Sequence, residues 1–223
     1  MGEDLFESRS RGPGRPARGP ARPLPRRAGT PRRALPARDG ARARVLRGGL
    51  GIGVTAKELI QSEPELWHEA THHRFLDGVR EGTLPPEVFD RWLAQDYLFG
   101  VALTRAEARY LAGAPREDLA LLASGVQAMV AELDWFEHKA AERQIDLGAA
   151  LHPAARVYID YLYALCDRPY SVQLTALWAL ERAYLEAWRG ASPGAQAFRE
   201  FVEHWTSDAF AAYVAALEAV TSR

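Results

Sequence analysis

The chain has 223 residues, 48% of them hydrophobic, which is enough to bury a core and suggests one domain plus an extension. Its only cysteine, Cys166, excludes an intrachain disulfide and any cysteine-built zinc site. The net charge of −1 joins two unlike segments: residues 1–48 carry 13 Arg against four acids, a balance of +9, and the remainder carries −10.

The basic segment also holds seven of the 14 prolines and has no apolar periodicity. Such a segment cannot offset its ordering entropy by burial, so residues 1–53 are expected to be disordered, with the folded domain at 54–223. Three readings of it stay open. It is a transit peptide, although its Pro and Gly residues spoil the helix such peptides form; a basic tail that binds nucleic acid or membrane by charge; or a passive extension. Val54 precedes a clean domain start, Thr55-Ala56-Lys57-Glu58, and valine can be encoded by an alternative start codon, so translation is expected to begin there. No apolar run reads as a bilayer span and no signal sequence opens the chain, so the expected location is cytoplasmic, with no membrane partner.

The domain reads as six helices. The first covers Pro64–Arg80, with apolar Leu66, Ala70, Phe75, Leu76 and Val79, and stops at Gly82. Pro85-Pro86 opens a second that runs to about Ala112, its 3.6-residue period marked by Phe89, Trp92, Leu93, Phe99 and Leu103. A third runs from Pro115 to about Gln144, a fourth follows Pro153, a fifth covers Ser171–Arg189 and a sixth Pro193–Val220. No alternating β-branched run with hairpin signals appears, and there is no 20–50-residue repeat. The fold class is all-α, a helical bundle.

Polar residues that interrupt apolar faces are the informative ones. Asp96 lies on one face with Trp92, Gln95 and Phe99, and an acid there is either partnered or aimed into a cavity. Glu181 repeats the pattern among Leu174, Leu177, Trp178 and Tyr184. A carboxyl packed on an indole acquires a raised pKa suited to acid/base work near neutrality. Tyr158 stands beside Tyr161 and Leu162. Glu132 and Asp134 border the inner stripe of the third helix, and Trp205 ends the series Phe198, Phe201, Val202. Taken singly, each is as readily a salt-bridged acid or a core aromatic; the combination on helices that must converge distinguishes them.

The stretch Gly82-Thr83-Leu84-Pro85, followed by Phe89-Asp90-Arg91-Trp92-Leu93-Ala94-Gln95-Asp96-Tyr97, resembles the TenA/thiaminase II family. His73-Arg74-Phe75 looks like that family's His-Pro-Phe segment, with Arg in place of Pro. Glu132-Leu133-Asp134-Trp135-Phe136 and Ala176-Leu177-Trp178-Ala179-Leu180-Glu181 look like its branch that lacks the active-site cysteine. The resemblance covers about residues 64 to 215. It implies a heme-oxygenase-like helical bundle and a hydrolase of thiamin-derived aminopyrimidines, acting in thiamin pyrimidine salvage without a cofactor. It also implies a homo-oligomer, a dimer or tetramer.

By the same resemblance, Asp96 hydrogen-bonds the aminopyrimidine, and Phe99 and Trp205 stack on its ring where cysteine-containing relatives carry tyrosines. Tyr158 matches a pocket tyrosine. Glu181 falls where thiaminase II enzymes place their nucleophilic cysteine, so it, with Tyr158 and Glu132, is expected to carry the acid/base chemistry. Relatives continue into a final helix with a further pocket glutamate that has no counterpart before Arg223. Either Glu181 and Glu132 take over that role, or catalysis is weak or absent.

Two alternatives come from other classes. One is a non-catalytic pyrimidine binder or regulator, although the acidic domain has no evident helix-turn-helix reading head and nucleic acid is not an expected partner. The other is a metal or heme protein of the same fold, with His72, His73, Glu107, His138, His204 and Asp208 as conceivable ligands. No Glu-x-x-His pair stands on each of two helices, so no metal is expected.

Overall fold

A computed structural model describes residues Thr55–Arg223; the Arg/Pro-rich extension, its three readings and the expected start at Val54 lie outside the described residues. Within them the chain forms nine helices and no strand: α1 (Ala56–Ser62), α2 (Pro64–Thr71), α3 (Arg74–Glu81), α4 (Pro86–Gly113), α5 (Leu119–Arg143), α6 (Pro153–Leu165), α7 (Tyr170–Gly190), α8 (Arg199–Trp205) and α9 (Asp208–Thr221).

Local chemistry explains where they start and stop. Thr55 and Glu58 form a capping box at α1, with Thr55 N–H donating to Glu58 Oε2 at 2.7 Å and Glu58 N–H donating to Thr55 Oγ1 at 3.3 Å. Pro64, Pro86 and Pro153 each occupy the first turn of a helix, where a missing N–H leaves nothing unpaired. Gly82 ends α3 in the left-handed region at φ 74, which a side chain would strain.

Two of the six expected helices are each a pair. The span Pro64–Arg80 breaks at His72 and His73, both extended, because the His73 ring nitrogen Nδ1 accepts from Phe75 N–H at 3.1 Å and starts a new helix. The span Pro193–Val220 breaks at Thr206, where Ser207 caps α9 by accepting from Phe210 N–H at 3.4 Å. The third helix begins at Leu119 rather than Pro115, after a turn closed by Asp118 N–H donating to Pro115 O at 3.0 Å. By length and composition α5 is apolar enough to cross a membrane, which corrects the reading that no run is; here it packs against α4 with Leu122, Gly125, Phe136 and Ala140 buried.

Helix α4 packs chiefly on α5, and also on α6 and α7, while α7 packs on α2, α8 and α9. The buried apolar residues form two groups. One holds Leu103, Tyr110, Leu122, Leu162, Leu174, Leu177, Trp178 and Leu217. The other is largely aromatic: Phe89, Leu93, Phe136, Trp188, Phe198, Phe201 and Trp205. Phe89 and Leu93, with 0% exposure, each stabilise the fold by about 2 kcal/mol through burial alone.

The three long helices cross from one group to the other. On α4, Asp96 and Phe99 lie between Leu93 and Leu103; on α5, Met129 and Glu132 lie between Leu122 and Phe136; on α7, Glu181 and Tyr184 lie between Trp178 and Trp188. The acids picked from the sequence therefore sit at the junction of two apolar cores.

Candidate functional site

At that junction two cavities share a wall made by Asp96, Phe99, Leu180 and Tyr184. The inner one, about 280 Å³, is completed by Met129, Glu132, Glu181, Trp205, Phe210 and Tyr213. The outer one, about 1360 Å³ and more open, is lined by Gln95, Arg143, His152 and Tyr158 among others. Five of the six residues singled out from the sequence thus meet around the inner cavity, and Tyr158 stands on the outer one.

Asp96 accepts a hydrogen bond from the Tyr184 hydroxyl at 2.9 Å. Burial pushes its carboxyl up to about 7, against the pull of that hydrogen bond and with a further push from the charge of Glu132. Such a group can present an acid O–H and a carbonyl oxygen side by side, which suits a heterocycle with a ring nitrogen next to an amine.

Glu132 is the anchored acid. One of its oxygens accepts from Trp205 Nε1–H at 2.8 Å, and the other pairs with His204 Nε2 at 2.6 Å. The His204 ring is itself stacked on Trp135 at 3.9 Å and 3°. Asp134, its expected counterpart across the stripe, is exposed.

Glu181 is 6% exposed. Burial pushes it up to about 8, and the charges of Glu132 and Asp96 add to the effect. At neutral pH it therefore holds its proton and can donate it, the condition expected of a carboxyl set among Leu177, Trp178 and Tyr184.

Trp205 is 4% exposed and packs edge-on against Trp92 and Trp135, with its N–H tied to Glu132. Phe99 stacks on Tyr158 at 4.7 Å and 27°, and Phe99 lines both cavities while Tyr158 lines the outer one. The Tyr158 hydroxyl is pushed up to about 12, by burial first and then by the charges of Glu181, Tyr161 and Asp96, so it stays protonated.

Sequence reasoning did not name Tyr184 or Tyr213 as site residues. Tyr184 stands three residues after Glu181 on the same face, a signal that was available. Tyr213 had none, because the packing of α9 on α7 and α5 brings it in. Gln95 was noted beside Asp96 but not given a role; it holds the segment before α6, donating to Ala150 O at 3.1 Å and accepting from His152 N–H at 2.7 Å.

Among the described residues no three His, Cys, Asp or Glu side chains come together as a metal site. Of the conceivable ligands, His204 is engaged with Glu132, His73 caps α3, and Asp208 opens α9.

The TENA/THI-4/PQQC family pattern matches residues 61–222. The chain belongs to that family. A soybean (Glycine max) relative described as a probable bifunctional TENA-E protein is 30% identical over 184 residues, 77% of this chain and 80% of its own length. A TenA homologue from Pyrococcus furiosus superposes with a TM-score of 0.71 at 32% identity, covering 74% of this chain and 82% of that one. A TenA family transcription regulator from Silicibacter sp. TM1040 gives a TM-score of 0.68 at 25% identity over 75% of this chain and 79% of that one. The expected heme-oxygenase-like helical fold is thereby shown. For this TENA/THI-4/PQQC member the match reaches back no further than α1, and its N-terminal extension stands apart from the family pattern.

Proposed function

We propose that this chain hydrolyses thiamin-derived aminopyrimidines, releasing the amine from the aminomethyl group as part of thiamin pyrimidine salvage. The observation that carries the reading is the inner cavity itself. At about 280 Å³ it lies at the small end for ligand sites, it is walled by aromatic rings, and three carboxyls of unlike environment face it. Pairs of acids held in different states are the usual way to assign acid and base.

In this reading Asp96 takes the ring nitrogen and the exocyclic amine as a paired contact, while Phe99 and Trp205 flank the ring. Water attacks the methylene carbon as its C–N bond breaks. Glu181 gives its proton to the departing amine and takes one from the attacking water, so it ends as it began. Glu132 holds Trp205 in place, and its charge adds to the burial that raises Asp96 and Glu181. Tyr158 orients substrate or water from the outer cavity. Exposed Leu66, Val130, Val157 and Tyr161 offer apolar surface that fits assembly as a dimer or tetramer, which sedimentation would measure.

The test is amine release from aminomethyl and formylaminomethyl pyrimidines by the parent, Glu181→Gln and Asp96→Ala. Glu181→Gln is expected to slow turnover about 10²–10⁴-fold and Asp96→Ala to weaken binding. Full activity in Glu181→Gln, or no release by the parent, overturns the reading. A second reading, a pyrimidine-binding regulator, draws on the description of the Silicibacter relative as a transcription regulator. Tight pyrimidine binding without turnover would favour it.

A further inference from the structure

One histidine beside the inner cavity has no part in the chemistry above. His204, on the seven-residue helix α8, lines that cavity together with Glu132 and Trp205. Its Nε2 lies 2.6 Å from one oxygen of Glu132, while Trp205 Nε1–H donates to the other at 2.8 Å. A carboxylate only accepts, so the first bond puts a hydrogen on His204 Nε2. The Glu132 side chain is 20% exposed, and a donor on each oxygen offsets the water it has lost.

The same imidazole makes a second contact. It lies flat on the Trp135 indole, with ring centroids 3.9 Å apart and planes 3° from parallel. Trp135 in turn meets Trp205 edge-on at 5.5 Å and 75°. The four contacts close a ring: Glu132 to His204, His204 to Trp135, Trp135 to Trp205, and Trp205 back to Glu132. Two members stand three residues apart on α5, and two are neighbours at the end of α8. A helix as short as α8 does not hold itself in water, so its shape depends on contacts of this kind.

We propose that His204 is a positioning residue: its Nε2–H closes this ring, holds the Glu132 carboxylate in one orientation and so sets the Trp205 indole against the inner cavity. It acts on a bound pyrimidine only through Glu132 and Trp205. Without its hydrogen, one oxygen of Glu132 loses its donor in a site largely withdrawn from water. The carboxylate then turns to find another, and the indole N–H loses its acceptor. The stack on Trp135 cannot replace this bond, because it fixes the imidazole but gives Glu132 nothing. Imidazole combines a flat face for Trp135 with an edge N–H for Glu132. Phenylalanine offers only the face, and glutamine only the N–H, which lets the two contacts be tested apart.

The effect on turnover rests on the hydrolase reading; the ring of contacts does not, and the experiment separates them. Protein carrying ¹⁵N in tryptophan and histidine is compared by NMR as the parent, His204→Phe and His204→Gln. The parent is expected to show His204 with its hydrogen on Nε2 and a Trp205 indole N–H that exchanges slowly with water. His204→Phe is expected to speed that exchange about 10-fold or more, and His204→Gln to recover most of the protection. With an aminomethyl pyrimidine as substrate, His204→Phe is expected to raise KM about 10-fold with kcat within about threefold, because Trp205 flanks the ring before and during reaction. Unchanged Trp205 exchange in His204→Phe, no recovery in His204→Gln, or a fall in kcat at unchanged KM overturns the proposal. If the parent releases no amine, the hydrolase reading fails while the indole exchange still answers. Should His204→Phe not fold, the parent decides alone: a His204 whose Nε2 carries no hydrogen overturns the proposal.

Discussion

Replacing Glu181 by Gln keeps the shape of the side chain and removes its titration, and the structure sets both the sign and the size of the result. An unfolded glutamate ionises near 4.5, whereas the folded environment pushes Glu181 up to about 8. Between those values the native state holds a proton that the unfolded state has lost, so parent stability falls as pH rises. That part of the stability is fully present below the unfolded value and is gone once pH passes the folded one. Each pH unit in the window is worth about 1.4 kcal/mol, so from about pH 5 to pH 7 the parent loses about 3 kcal/mol that Glu181→Gln keeps. Burying the amide has its own cost, but that cost is independent of pH, and the slope isolates the carboxyl. Urea denaturation of both proteins at fixed protein concentration across this range measures the gap. The variant is expected to gain on the parent steadily with pH while its amine release collapses, the signature of a group kept for chemistry at the expense of stability. A stability gap that stays constant with pH refutes the assigned environment of Glu181.

Three other outcomes follow from the geometry. Trp205→Phe keeps a ring at the cavity wall but leaves Glu132 short of a donor, and a drop of about 1–3 kcal/mol in thermal or urea stability is expected; unchanged stability would show that the bond contributes nothing. Gly125→Ala places a methyl where the Tyr213 hydroxyl lies, so α9 must shift, and a loss of about 1–3 kcal/mol with weakened ligand binding is expected by calorimetry. Gln95→Leu removes both side-chain bonds to the segment before α6, so amide exchange over residues 144–152 is expected to accelerate while the helices stay protected; equal protection there would mean that Gln95 does not hold the segment.

The helical character of the domain, the proline-led starts of α4 and α6 and the stop at Gly82 were legible in the sequence, because each depends on a local backbone property or on a 3.6-residue period. The breaks at His72–His73 and at Thr206 were not. The apolar period runs through both, and the deciding contribution is a single side chain, His73 or Ser207, satisfying a backbone N–H. Asp96 and Glu181 were legible as candidates because an acid on an apolar stripe contradicts its surroundings. Glu107 meets the same test yet drew notice only as a conceivable metal ligand, since nothing along α4 shows that its carboxyl ends buried without a hydrogen-bond partner among the described residues. The sequence by itself determined which residues are amphipathic misfits and how far along each helix they fall, since those are properties of composition and period. Only the tertiary structure decided that the misfits on α4, α5 and α7 face one small cavity between two apolar cores, with Trp205 of α8 and Tyr213 of α9 completing its wall. Burial and mutual charge arise from neighbours far apart in the chain, and it is they that turn ordinary carboxyls into groups that hold a proton near neutral pH.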